Sequence, residues 1–278
     1  MIHLMKNPVL KRDLKFRLRI NKLIPAIVLR YICIAILFLL VLLVRLGTDI
    51  LAFLIAETVM IMLFTPGSIC DAFVSQAGRH DSYDLVFFRM SKVKLIVGKL
   101  IASNLYNFIV VIISDIIIFA LLASQKKFNT QGVLYATLVL LTFMLVSSVL
   151  SILFCTIFQR NAIAPAFFVY SVIILLLFSV IIAGPFLERT ENQKAKNLIT
   201  KSAIYINPIV MLSRSLGKID IMRTDYLYNV ADPIVGRGFT YPDWRISCTA
   251  YLIVSCFLLG LAIFVSFIKR NVVLSIRG

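Results

Sequence analysis

Residues 133–158 read VLYATLVLLTFMLVSSVLSILFCTIF, twenty-six positions without a single charged side chain. Wound as a helix at 1.5 Å per residue, this stretch is about 39 Å long, more than the roughly 30 Å hydrocarbon core of a bilayer. A run of that length and polarity predicts a transmembrane helix. Five further blocks of about twenty mostly apolar residues flank it, at 23–44, 50–69, 100–123, 164–184 and 248–267. The chain is therefore expected to be an all-α membrane protein with six transmembrane helices, built as a single membrane domain over residues 1–278. Whole-chain composition agrees, since 60% of the residues are hydrophobic against the roughly 45–50% apolar share of soluble domains, and the mean hydropathy is +0.96.

The net charge of +16 does not point to nucleic acid, because the cations flank the apolar blocks and do not gather with aromatics on a soluble basic face. Cytoplasmic loops carry an excess of Lys and Arg. With the N-terminus inside, that side receives Lys6, Lys11, Arg12, Lys15, Arg17, Arg19 and Lys22, then Arg79, Arg89, Lys92, Lys94 and Lys99, then Arg160, then Lys269, Arg270 and Arg277. The short outer loops hold only Arg45, Lys126 and Lys127. This asymmetry predicts an N-in, C-in, multi-pass protein of the cell membrane, bacterial inner or plasma. Trp244 beside Tyr241 suits the water–lipid boundary before the last span.

The first apolar block is longer than the roughly 7–15 residues of a signal-peptide core and lacks a small-residue cleavage site, so it reads as a retained span. The five cysteines, Cys33, Cys70, Cys155, Cys248 and Cys256, lie inside or beside apolar blocks and form no CxxC pair or disulfide framework.

Three segments outside the spans carry information. In residues 1–22, Asn7 and Pro8 suit a helix cap and first position. Lys11, Arg12, Lys15, Arg19 and Lys22 then share one face opposite Val9, Leu10, Leu14, Phe16, Leu18 and Ile20. Such a basic amphipathic helix lies in the cytoplasmic interface on anionic lipid, either as a plain anchor or as a grip for a partner; Leu14 to Ile20 also alternates like a strand. The loop 71–99 is long for a connection. Its run Tyr83, Asp84, Leu85, Val86, Phe87, Phe88, Arg89, Met90 is too apolar for a solvated linker and too short to span. It suits a protein-docking surface or an interfacial helix on lipid.

The stretch 79–103, RHDSYDLVFFRMSKVKLIVGKLIAS, resembles the cytoplasmic loop and third span of ABC-2 type transporter permeases. The match is carried by the acidic and apolar Asp84 to Phe88, by Ser91 at the turn, and by the closing Gly98, Lys99 and Leu100. Arg89 stands where that family usually has Pro, and Gly78, Arg79, His80 and Asp81 where it has glutamates. Residues 7–19 resemble its interfacial helix, and Asn207-Pro208 its Asn-Pro before the last span. The resemblance implies that 71–99 holds a coupling helix between spans 2 and 3, with Tyr83 to Met90 seated in a groove of a soluble ABC ATPase. It implies pairing with a second permease copy, identical or related, and short helices dipping back into the membrane within 185–247. The bare sequence permits such a dip, because Ile204 to Leu212 is apolar, short and interrupted by Pro208.

The chain is not expected to be an enzyme or to bind a cofactor. Gly98-Lys99 lacks the Walker A glycine, Val93 standing there, and Leu100 replaces its Ser or Thr; ATP-Mg belongs to the partner subunit. His3 and His80 are the only histidines, and no HExxH or GxSxG pattern exists. The reading is a permease subunit of an ATP-driven exporter, moving an unidentified cargo out of the cytoplasm. An ion-coupled secondary transporter, with ionisable groups at the midplane and broken helices, and a non-transporting anchor subunit are the alternatives. Three charges lie inside spans. Arg30 is near enough to the cytoplasmic edge to snorkel. Glu57 and Asp115 lie about 10–12 Å from the outer ends of spans 2 and 3, at one level on neighbouring antiparallel helices. Asn104, Asn107, Ser114 and Asp115 fall near one helical face. This stripe and Glu57 are expected to line the path or hold a gate, or else to pack the bundle through interhelical hydrogen bonds.

Overall fold

Leu, Ile, Val and Phe in unbroken blocks leave the backbone no partner but itself in an apolar medium, and helices satisfy it within each segment. The computed structural model describes residues 10, 14–15, 20–43, 49–77, 92–124, 130–158, 163–216 and 243–277. Among them every regular element is helical: α1 (Ile20–Leu43), α2 (Asp49–Ala77), α3 (Lys92–Ser124), α4 (Thr130–Ile157), α5 (Ile163–Leu177), α6 (Ser179–Arg189), α7 (Gln193–Ile206), α8 (Pro208–Ser215) and α9 (Trp244–Arg277).

Four of these helices contain stretches long and apolar enough to cross a membrane, Leu51–Cys70, Val93–Ile113, Gln131–Ile157 and Trp244–Ile268. Taken as one span, α5 and α6 make a fifth, and α1 contributes a shorter apolar stretch, Ile27–Leu40. The expected straight span at 164–184 is not straight: α5 and α6 meet at a 63° bend. The segments 1–9 and 78–91, and hence most of the proposed interfacial helix and the whole of Tyr83 to Met90, lie outside the described residues.

α4, which holds the longest of the four apolar stretches, is also the centre of the bundle, touching α2, α3, α5, α8 and α9. Leu140, Phe143 and Ile152 on it are completely buried. Phe143 meets Tyr251 of α9 edge-on with ring centres 5.0 Å apart, and Phe154 stacks on Phe168 of α5 at 5.6 Å. α2 lies beside α4 and carries Pro66 within the helix. At the next residue α5 comes close: a Cβ on Gly67 would stand 3.3 Å from the Tyr170 hydroxyl, which donates to the Leu63 carbonyl at 2.8 Å.

The outer faces are as apolar as the core. On α9 Ile253, Phe257 and Phe264 are 61–71% exposed, at spacings of four and seven that keep them on one helical face. α1 repeats the pattern with Ile24, Val28, Ile32 and Ile36. Water would penalise a continuous apolar surface of this kind, so these faces are compatible with a multi-pass protein whose solvent is lipid. Trp244 opens α9, its ring 5.1 Å from that of Tyr135, with the Arg245 guanidinium 5.7 Å from each ring. That pairing of amphipathic rings with a cation suits a boundary between water and lipid.

Candidate functional site

Polar side chains inside such a bundle are costly unless paired, and two groups of them stand out. The first joins α1, α2 and α3. Arg30 is 2% exposed, and its Nη1 donates to Asn107 Oδ1 at 3.2 Å. Asn107 Nδ2 in turn donates to Thr65 Oγ1 at 3.1 Å. The Arg30 guanidinium carbon also lies 5.9 Å from the centre of the Phe64 ring, within the reach of a cation–π contact. Asn107 and Thr65 are themselves buried. Arg30 therefore does not snorkel to the edge as its position in the sequence suggested. It shares the inward face of α1 with Ile34, which is 1% exposed, one turn away and opposite the lipid-like face.

One turn along α3, Asn104 Nδ2 donates to the Leu100 carbonyl at 2.8 Å. The Ser148 hydroxyl of α4 lies 2.9 Å from Asn104 Oδ1 and 2.7 Å from the Met144 carbonyl. A hydroxyl has one proton to give, so it serves these two acceptors alternately or shares between them. Of the expected stripe, Asn104 and Asn107 thus reach different neighbours: one binds α4, the other α1 and α2.

Glu57 sits on α2 with no exposed surface. It is eight residues, about 12 Å along the helix, from Thr65. The Thr65–Asn107 bond sets the antiparallel register of α2 and α3, and Ile69 clusters with Ile96 and Leu100 on its other side. Eight residues along each helix from that bond, the same register carries position 115 to the level of Glu57. Ser114 and Asp115 fall within α3, but their side chains lie outside the described residues, as do Tyr83 to Met90. Among the described residues no three His, Cys, Asp or Glu side chains gather as metal ligands.

The second group surrounds Asn207, which is completely buried. Its Oδ1 accepts from the backbone N–H groups of Ile209 and Val210 at 2.9 and 3.1 Å, so it caps α8, with Pro208 at the first helical position. Its Nδ2 reaches the Leu177 carbonyl at 2.8 Å and the Ser179 hydroxyl at 3.3 Å. Those are the residues on either side of the bend between α5 and α6. A side chain inserted at a ladder carbonyl is a recognised cause of a sharp kink, and here one amide ends α5 and starts α8. Ser179 completes the tie by donating to the Ala203 carbonyl at 3.0 Å, and the Tyr251 hydroxyl of α9 donates to the Ile206 carbonyl. α7 and α8 are accordingly a pair of short helices pinned back onto the bundle, with Val210, Met211 and Leu212 buried.

Arg30, Thr65 and Ser148 were absent from the sequence-derived site. Arg30 and Thr65 were within its reach: Arg30 is the only charged residue of the first apolar block, and Thr65 lies two turns from Glu57. Ser148 had no such signal, since serine is common in membrane helices.

No family model, curated protein or solved structure matches this chain. Function must be argued from its own residues.

Proposed function

We propose that the chain is the membrane-spanning permease subunit of an ATP-driven ABC exporter of the ABC-2 type, moving cargo out of the cytoplasm together with a soluble ATPase and a second permease copy. On this reading α1 is a span and α5–α6 one broken span, which brings the count to six with both termini in the cytoplasm. The observation that supports a transport role is the buried charge of Arg30, held by Asn107 and Thr65 across three helices; the ABC-2 type rests on the resemblance of residues 79–103. Ionisable groups inside membrane segments are costly and mark substrate or ion pathways. The Asn207–Pro208 turn and the pinned pair α7–α8 agree with the short outer helices that the resemblance implies. ATP and Mg²⁺ belong to the partner. The work of this chain is to couple through Tyr83 to Met90 and to form the path, with Glu57, Asn104, Asn107, Ser114 and Asp115 along it.

Replacing Phe87 and Phe88 together by Ala tests the coupling role, because truncating docking aromatics costs roughly 2 kcal/mol or more of binding. The expected result is at least a tenfold weaker complex with the ATPase and loss of ATP-driven export, with membrane insertion unchanged. Unaltered binding and export would overturn it.

The bend between α5 and α6 favours a second reading, an ion-coupled secondary transporter, since such proteins place broken helices and ionisable groups at the midplane. Vesicles separate the two: cargo movement driven by an ion gradient without ATP would support the second.

A further inference from the structure

α2 and α4 bring two cysteines together at one end of the bundle. Cys70 Sγ lies 3.1 Å from Cys155 Sγ, although 85 residues separate them in the chain. Both are free thiols, 1% and 3% exposed. Cys155 is two residues from the end of α4 and Cys70 seven from the end of α2, so the pair sits near the helix ends and not at mid-bundle. Ile69, next to Cys70, and Ile152, one turn before Cys155, belong to one apolar cluster with Ile96, Leu100 and Ala262, which holds the two helices in register.

A lone buried thiol is inert and behaves as a small hydrophobe. Two thiols in contact differ, because the second traps any oxidised form of the first. A disulfide needs sulfurs about 2.05 Å apart, so bonding closes the gap by about 1 Å, within the reach of small rotamer changes.

We propose that Cys70 and Cys155 are a redox modification site, forming a reversible disulfide that locks the end of α2 to α4, with a hydroperoxide as the oxidant. One thiol attacks the peroxide oxygen, giving a sulfenic acid and releasing water or an alcohol. The other thiol then displaces hydroxide from the sulfenic sulfur, the S–S bond forms, and a second water leaves with the two thiol protons accounted for. Two electrons pass from the sulfurs to the peroxide. A dithiol reverses the reaction by exchange. The inference rests on the thiol geometry alone and does not depend on the exporter reading. If that reading holds, the lock acts on the last two turns of α2, which lead into the expected coupling segment.

The test uses the full-length protein in lipid nanodiscs, with Cys33, Cys248 and Cys256 replaced by Ala so that only this pair remains. After hydrogen peroxide treatment, quenching and denaturation, alkylation and peptide mapping count the remaining thiols. The expected result is loss of both alkylatable thiols, a cross-linked peptide joining Cys70 to Cys155, a raised melting midpoint, and full recovery with dithiothreitol. Cys155→Ala in the same background should abolish the cross-link; where that variant fails to fold, the thiol count and peptide map of the parent pair decide. Two thiols still alkylatable at peroxide doses that oxidise an exposed control cysteine would overturn the proposal. So would irreversible oxidation of either thiol without an intrachain link.

Discussion

Asn107 and Asn207 are both buried side-chain amides inside an apolar bundle, yet they spend their hydrogen bonds differently. Asn207 gives nearly all of its capacity to backbone, capping α8 and holding the Leu177 carbonyl at the bend. Asn107 gives its capacity to other side chains, accepting from Arg30 and donating to Thr65. An amide that satisfies backbone is needed for the shape of the protein, whatever the protein does. An amide that holds a buried cation in place serves a charge that the fold alone does not require. Removing the first should damage stability before activity, and removing the second should do the reverse.

Asn207→Ala should show the largest stability effect. Loss of a helix cap costs about 1 kcal/mol, and the Leu177 carbonyl loses a donor in an apolar setting, worth about 1–3 kcal/mol more. Thermal unfolding in detergent should fall accordingly, and Asn207→Asp should fall further than loss of the donor alone predicts, since a carboxylate still caps α8 but buries an acceptor against the Leu177 carbonyl. Equal melting temperatures for Asn207→Ala and wild type would dissolve the contrast between the two amides.

Asn107→Leu comes next. It removes the acceptor from Arg30, and a hydrogen bond to a charged group is worth about 1.5–3 kcal/mol. Transport by the assembled complex should drop at least tenfold while the melting temperature falls less than in Asn207→Ala. A variant that is destabilised but transports normally per folded molecule would reassign Asn107 to packing.

The smallest effect belongs to Thr65→Val, which deletes one neutral partner and keeps the shape. Interhelical hydrogen bonds in membrane bundles average about 0.6 kcal/mol, so stability should barely move. A shift in transport at this position, measured beside an unchanged melting curve, would sharpen the link between the Arg30 network and activity.

The helical, apolar character of the chain was legible in the sequence because lipid-facing and core-facing residues of a membrane helix are alike in composition. Against the six expected spans, however, four helices among the described residues, or five with α5 and α6 taken as one, are long and apolar enough to cross a membrane. The bend at Phe178 was not legible. Residues 164–184 carry no charge and no Pro or Gly near 178, a single Ser179 does not announce a bend, and the amide at the kink comes from Asn207, about thirty positions later. Arg30 was misread for a related reason: distance from the membrane edge says whether a long side chain can escape, but helix face decides whether it does. Asn104 and Asn107 were visible in the sequence as polar residues within an apolar block, whereas their separate partners, Ser148 on α4 and Arg30 and Thr65 on α1 and α2, required tertiary packing. The expectation of a docking surface at Tyr83 to Met90 rests on composition and the family likeness, and those residues lie outside the described ones.

Pro66 has no N–H to give the Met62 carbonyl, so α2 lacks a rung of its ladder there, just where Gly67 lets Tyr170 lean on Leu63. Mechanically the helix is two levers on a common fulcrum. The longer arm carries Glu57 and Thr65 and is clamped by its neighbours; the shorter carries Cys70 and leads towards residue 78. A ladder missing one rung bends more readily there than elsewhere, and the Tyr170 hydroxyl of α5 braces α2 one turn before that point.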